Sequence, residues 1–215
     1  MSRPRAVLFD WDNTLVDSWD TIHEALNHCF NAMGRAPWTI AETKARTRLS
    51  LKEAFPPIFG ERWEEARDHY LSHFAAIHLA RIKPLPGVLA MLDGLAELGV
   101  PLAVVSNKTS ATLRREAAHF GWHGRFARLV GAGDADADKP AAAPILMALA
   151  ALDLKPGLDA WYVGDTALDM ECAANAGCHP VLLHTEPAGD VEFARFIPAL
   201  RFGDCAALMA HIKVL

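Results

Sequence analysis

Two carboxylates one residue apart, Asp10 and Asp12, stand directly after the apolar run Ala6-Val7-Leu8-Phe9, with Asn13 and Thr14 following. Carboxylates this close repel each other and raise each other's pKa unless a cation lies nearby. Such a pair suits a nucleophile beside an acid/base, a hard-metal site, or both. The bland alternative is a turn in which Asp12-Asn13 merely starts a helix or loop. Three more polar sets follow apolar runs or loops: Ser106-Asn107 after PLAVV, Lys139 before Pro140, and Gly164-Asp165 after AWYV, with Asp169 four residues on.

These residues need elements to hold them. A short run such as AVLF, bounded by a basic stretch and a polar cluster, reads as a fully buried strand. PLAVVSN (101–107), RLVGA (128–132), AWYVGD (160–165) and PVLLH (180–184) read the same way, with a last short strand near Leu200-Phe202. Helices are predicted between them. One carries Val88, Leu92, Leu95 and Leu98, others cover 110–120 and 140–152, one ends near Gly177, and one starts at Asp204. Strands separated by helices imply right-handed crossovers and an α/β fold, a parallel sheet with helices on both faces. Ligand-handling residues of such a sheet lie past the carboxyl ends of its strands, so all four polar sets can converge on one edge.

Residues 17–84 read differently, with no strand signal. Asp17 or Ser18 caps a helix through Trp19, Ile22, Leu26, Phe30 and Met33 that stops at Gly34. Residues 39–55 give one or two short helices ended by Pro56-Pro57, and 61–79 give another through Trp63, Ala66, Tyr70, Phe74 and Ile77. Trp19, Trp63, Tyr70 and Phe74 are expected to form this small all-helical unit's own core. Lys83-Pro84-Leu85-Pro86-Gly87 reads as a hinge.

The 215 residues are 52% hydrophobic and 22% charged, with a formal net charge of -5. That composition is globular and excludes bulk disorder. No basic run marks a nucleic-acid footprint, and no long apolar run or signal-peptide pattern marks a membrane or an export route. Cytoplasmic residence is the expectation. Cys29, Cys172, Cys178 and Cys205 form no CxxC pair and suit reduced thiols. Nothing in the sequence decides between monomer and homodimer.

Together the four sets suit phosphoryl transfer. Asp10 can attack phosphorus and hold it as an aspartyl phosphate. Asp12 can protonate the leaving group and then deprotonate water. Asp10, Asp12 and Asp165 offer a magnesium-like oxygen site. Ser106, Asn107 and Lys139 can hold the non-bridging oxygens of a small-molecule phosphate ester. Like charges about 4 Å apart still interact by about 4 kcal/mol at an effective dielectric near 20, so a phosphate dianion needs Mg2+ to join these carboxylates.

The motifs DWDNTL (10–15), SNK (106–108), DKP (138–140) and GDTALD (164–169) occur in an order that resembles the haloacid dehalogenase-like superfamily, in its phosphoglycolate-phosphatase-like branch. The resemblance covers the whole chain. It implies a Rossmann-like core, residues 1–16 and 85–215, with a helical cap, 17–84, inserted after the first strand. It also implies that Asp10 is the nucleophile, Asp12 the acid/base, and Ser106 and Lys139 phosphate ligands. By the same resemblance, Mg2+ is held by Asp10, the Asp12 backbone carbonyl and Asp165, with Asp169 in support, while Thr14 fixes the loop and Gly164 belongs to the last motif. Trp11 is bulkier than the residue often found after the nucleophile, which implies a different pocket mouth. The lysine loop departs too, lacking a glycine before Lys139 and an acidic residue after Pro140.

Competing readings use the same fold. A dehalogenase would need neither Asp12 nor Asp165. A phosphonate-cleaving hydrolase would use a cap lysine, Lys44 or Lys52, as a Schiff base. A sugar phosphomutase would retain its phosphoenzyme, and a non-catalytic phosphate-binding module would be a retired scaffold. Lys108 reads as solvent-facing, and Arg46, Arg48 and Lys52 as mostly solvated.

Overall fold

Apolar residues in unbroken short runs form strands, and those three and four apart form helices. The computed structural model describes residues 2–47, 49–183 and 192–215. In chain order the elements open with β1 (Ala6–Phe9), β2 (Val16–Asp17), α1 (Trp19–Ala32), α2 (Ile40–Arg46), α3 (Leu51–Phe59), α4 (Trp63–Arg81) and β3 (Lys83–Pro84). They continue with α5 (Val88–Glu97), β4 (Leu102–Thr109), α6 (Ser110–His119), β5 (Arg128–Ala132) and α7 (Ala143–Ala150). The last are β6 (Ala160–Gly164), α8 (Ala167–Asn175), β7 (His179–Leu183), β8 (Leu200–Phe202) and α9 (Cys205–Lys213). Contacts divide the chain into two compact units, Met1–Leu15 with Pro84–Leu215, and Val16–Lys83.

The larger unit is a Rossmann-like α/β fold. Its six strands run in the order β5-β4-β1-β6-β7-β8, every pair parallel. β1 is flanked by β4 on one side and β6 on the other, with Leu8 opposite both Ala103 and Tyr162. The strand order therefore reverses at β1, and the crevice beyond its carboxyl end is where such sheets take ligands. All four residues of β1 are fully buried, which is why an unbroken apolar run and not an alternating one forms it. Leu8, Val105, Val130 and Tyr162 face Ile145, Leu149, Cys172 and Ala173 of α7 and α8. Trp161 points the other way and stacks on His211 of α9, ring centroids 6.2 Å apart. Helices thus cover both faces, as the sequence predicts. The four cysteines are free thiols, all buried.

The smaller unit is helical, built around Ile22, Leu26, Phe30, Phe55, Phe59, Tyr70 and Phe74 from α1, α3 and α4. Trp63 packs against this cluster only partly buried, and Trp19 stays outside it beneath the Lys44 ammonium. Pro56 and Pro57 do not end a helix; both lie inside α3. Phe55 and Phe59, one turn apart across the prolines, are 2% and 6% exposed. Burying two phenyl rings on one face offsets the lost helical hydrogen bonds. A short two-stranded pairing of β2 with β3 also appears where no strand was expected. Arg48, and His184 at the predicted end of β7, lie outside the described residues. No described helix is long and apolar enough to cross a membrane.

Candidate active site

Asp10 follows the last residue of β1, and its backbone N–H still joins the sheet by donating to the Val163 carbonyl, 2.9 Å. β1 ends there. Leu15 N–H closes a turn onto the Trp11 carbonyl, and Asn13 takes a left-handed φ of 62°. The chain thus turns at residues 13–15, directly after Asp12, and the two carboxylates meet different cations.

Asp10 joins a buried cluster. The Lys139 ammonium donates to Asp10 Oδ1 and to Asp169 Oδ1, each at 2.8 Å. Asp165 completes it: one carboxylate oxygen from each of Asp10, Asp165 and Asp169 lies within 4.8 Å of the others. Thr14 Oγ1 donates to Asp165 Oδ1 at 3.0 Å, which ties the Asp10 loop to the end of β6. Asp169 has a second task in α8. The Thr166 side chain accepts from its backbone N–H, and its own Oδ2 accepts from Thr166 N–H at 3.0 Å, a capping box. Thr166 and not Asp165 is thus the helix cap, which leaves the Asp165 carboxylate to the cluster. The Tyr162 hydroxyl lies 2.8 Å from the Val105 carbonyl and 3.2 Å from Asp169 Oδ1.

Gly164 owes its identity to this crowding. A Cβ there would meet the Asp169 side chain at 2.3–2.5 Å. Gly164→Ala is expected to push the Asp169 carboxylate from Lys139 and to destabilise the fold by about 1–3 kcal/mol. Denaturant melts would measure this, and a variant as stable as the parent would refute the close packing.

The electrostatics follow from burial. Desolvation pushes the Asp10 carboxyl up to about 7, against the pull of Lys139 and with the push of Asp169 and Asp12. Asp165 rises well above the carboxylate range, chiefly by burial and then by Asp169 and Asp10. Asp169 is buried too, yet Lys139 and the Thr166 donors hold it below its ordinary value. Burial pulls the Lys139 ammonium down, but Asp10 and Asp169 more than compensate and keep it charged. Three buried carboxylates face one ammonium. An all-oxygen set short of positive charge fits a hard divalent cation such as Mg2+.

Ser106 and Asn107 sit near the end of β4, whose pairing with β5 is irregular between Val105 and Thr109. Ser106 Oγ accepts from Lys108 N–H at 3.2 Å. Asn107 clamps the lysine loop. Its Nδ2 donates to the Lys139 carbonyl at 3.0 Å, and its Oδ1 accepts from Lys139 N–H at 2.9 Å. The atypical loop DADKPAAAP is thus held by side-chain bonds to the neighbouring strand.

The Asp12 carboxylate departs from the three-carboxylate site expected of Asp10, Asp12 and Asp165, whereas the resemblance implies only its backbone carbonyl as a ligand. The carboxylate is not in the Asp10–Asp165–Asp169 cluster; Oδ1 lies 2.7 Å from the Lys108 ammonium. Lys108 is not solvent-facing, since its side chain is 6% exposed and pairs with Glu116 as well. Trp11 is not at a pocket mouth. It is fully buried against Phe120, Trp122 and Phe126, with its indole N–H on Glu116 Oε2 at 2.7 Å. Sequence reasoning read Lys108 as solvent-facing and passed over Glu116 and Tyr162. Two signals pointed to the first pair: Lys108 shares a strand face with Ser106, and Glu116 falls between Leu113 and Ala117 on the buried side of α6.

Comparison with known proteins agrees with this architecture. The family model for haloacid dehalogenase-like hydrolases matches residues 7–183. The phosphoglycolate phosphatase of Xylella fastidiosa strain 9a5c is 33% identical over 178 residues, 81% of this chain and 77% of that protein. A crystal structure of a Had-superfamily hydrolase from Ehrlichia chaffeensis has 27% identity and a TM-score of 0.68, covering 100% of this chain and 98% of that one. A predicted phosphatase from Clostridium acetobutylicum shares the fold with a TM-score of 0.87, at 23% identity and 100% coverage of both chains. The chain belongs to the haloacid dehalogenase-like hydrolase family, and within it is a phosphatase of the phosphoglycolate-phosphatase-like branch.

Proposed function

We propose that the protein is a magnesium-dependent hydrolase of small phosphomonoesters, with 2-phosphoglycolate the first candidate substrate, that works through an aspartyl phosphate on Asp10. The observation that carries this reading is the buried Asp10–Lys139–Asp169 ion triad with Asp165 beside it, at the carboxyl edge of the sheet where the strand order reverses. With its carboxyl pushed up to about 7, Asp10 needs more positive charge than Lys139 supplies to stay an ionised nucleophile at neutral pH.

Asp10 and Asp165, with the Asp12 backbone carbonyl, would hold the ion, and Asp169 would anchor Lys139 behind them. Mg2+, when bound, supplies the charge that lets a phosphate dianion approach these carboxylates. A lysine ammonium has three N–H donors; two of those on Lys139 meet Asp10 and Asp169, and the third is the donor for a phosphoryl oxygen. Ser106 binds a second oxygen, with Asn107 holding the lysine loop in register. As the Asp10 oxygen–phosphorus bond forms and the ester P–O bond breaks, Asp12 gives its proton to the leaving oxygen. It then takes a proton from the water that cleaves the aspartyl phosphate. We assign residues 17–84 to selection among small esters and the protein to the cytoplasm.

Phosphate release from a panel of small phosphomonoesters, run with Mg2+ and with a chelator, tests the reading. Metal-dependent release concentrated on 2-phosphoglycolate is the expected result. Magnesium-independent release would sink the cofactor assignment. No release by folded, magnesium-replete protein would transfer support to mutase, phosphonate-cleaving or binding-module chemistry.

A further inference from the structure

We propose that Lys108 is the positioning residue of Asp12, and that Glu116, itself fixed by Trp11, holds Lys108 to that task. The inference rests on the reading of Asp12 as the group that protonates the leaving oxygen.

Four residues from three parts of the chain form one buried network. Glu116 is fully buried in α6, where an ionised carboxylate persists only if paired and hydrogen-bonded. It is both. The Lys108 ammonium donates to its two oxygens at 2.8 and 2.7 Å, and the Trp11 indole N–H donates to Oε2 at 2.7 Å. The same ammonium reaches Asp12 Oδ1 at 2.7 Å. Burial opposes the charge on Lys108, but Asp12 and Glu116 more than restore it. Trp11 is locked by rings at 6.5, 5.8 and 6.3 Å from Phe120, Trp122 and Phe126, so its N–H has a fixed direction. A small or aliphatic residue at position 11 would offer Glu116 no donor.

Asp12 needs such a brace. It lies beyond the end of β1, directly before a turn at residues 13–15, and its side chain is 20% exposed. A general acid must stand within hydrogen-bond reach of the oxygen it protonates. With Oδ1 pinned by Lys108, Oδ2 is the oxygen presented for proton exchange. Lys108 also donates its backbone N–H to Ser106 Oγ, so one residue aligns the acid/base and a phosphate ligand. Trp11 and Glu116 touch no reacting atom; they act through Lys108.

The test compares kcat/KM for two esters, because kcat/KM reports the steps through leaving-group departure and not the later hydrolysis. An alkyl ester, 2-phosphoglycolate, needs a proton on its leaving oxygen, whereas 4-nitrophenyl phosphate releases a stable anion and needs it far less. Asp12→Asn calibrates the contrast. The double variant Lys108→Met/Glu116→Gln removes both buried charges together and is expected to lower kcat/KM on the alkyl ester by about 10²-fold. The loss on the aryl ester should be several-fold smaller. Trp11→Phe, which keeps the ring packing and deletes the N–H, should move the alkyl-to-aryl ratio in the same direction by a smaller factor. That variant and Glu116→Gln carry the reading if the double variant does not fold. Equal losses on both esters, while Asp12→Asn discriminates between them, would reduce Lys108 and Glu116 to structural ions and overturn the inference alone. Failure of Asp12→Asn to discriminate would remove the acid role of Asp12, and this inference with it.

Discussion

Asp10→Asn is expected to abolish phosphate release while leaving the fold intact. The amide keeps the size of the carboxylate but cannot form the acyl phosphate, and losing a nucleophile is felt on a scale of roughly 10⁴- to 10⁶-fold in kcat. The same variant should change the stability of metal-free protein in a pH-dependent way. Burial first, and then Asp169 and Asp12, lift the Asp10 carboxyl from 3.8 to about 7 despite Lys139. A carboxyl with a raised folded pKa contributes stability that is full below its unfolded pKa and is lost as pH rises through the folded value. The substituted amide has no such proton to lose. In chelator, the variant should therefore gain on the wild type between about pH 4 and about pH 7, and thermal melts of both proteins near pH 5 and near pH 8 would show it. Near-wild-type turnover would end the nucleophile assignment. A stability difference that does not change with pH would end the electrostatic argument for Asp10 and leave the catalytic one untouched.

The sheet was legible because buried parallel strands carry unbroken apolar runs, as AVLF and AWYV do, and because polar residues interrupt those runs where the strands leave the core. That made Asp10, Ser106, Asp165 and the crossover helices readable. Side-chain direction beyond a strand end was not. Alternation places residues i and i+2 on one face only while the backbone stays extended. Past Phe9 the regular strand ends, and alternation cannot say which cation each carboxylate meets: Asp12 turns to Lys108 while Asp10 meets Lys139. Trp11 illustrates the same limit: its bulk was visible, its burial among Phe120, Trp122 and Phe126 was not. Position alone hints that Lys108 and Glu116 are not surface charges, but it does not pair them. Only the tertiary pairing makes a buried carboxylate tolerable, and no local pattern encodes a partner eight residues away on a different element. The prolines of α3 failed for a related reason, since local propensity is a weak prior against two buried phenyl rings.

Lys139→Met should be the most damaging change to the metal-free protein. The side chain is 3% exposed and bridges Asp10, 9% exposed, and Asp169, fully buried. Its ammonium is the charge that holds Asp169 below the ordinary carboxylate range. Removing one partner of a buried ion pair leaves an uncompensated charge and costs about 3–5 kcal/mol. Methionine fills a similar volume, so the loss measures charge more than packing. Mg2+ should recover part of it by compensating Asp10 and Asp165, but not the Asp169 oxygen that faced Lys139. The variant's denaturation midpoint should therefore rise more with added Mg2+ than the wild type's, and still fall short of it. Turnover should drop by about 10²- to 10³-fold even at saturating Mg2+, because a donor to the phosphoryl oxygens is gone. A metal-free variant as stable as wild type would mean that Asp10 and Asp169 are already protonated in the folded protein. The triad would then be a hydrogen-bonded cluster and not an ionic one, and the need for a second cation at Asp10 would lose its physical basis.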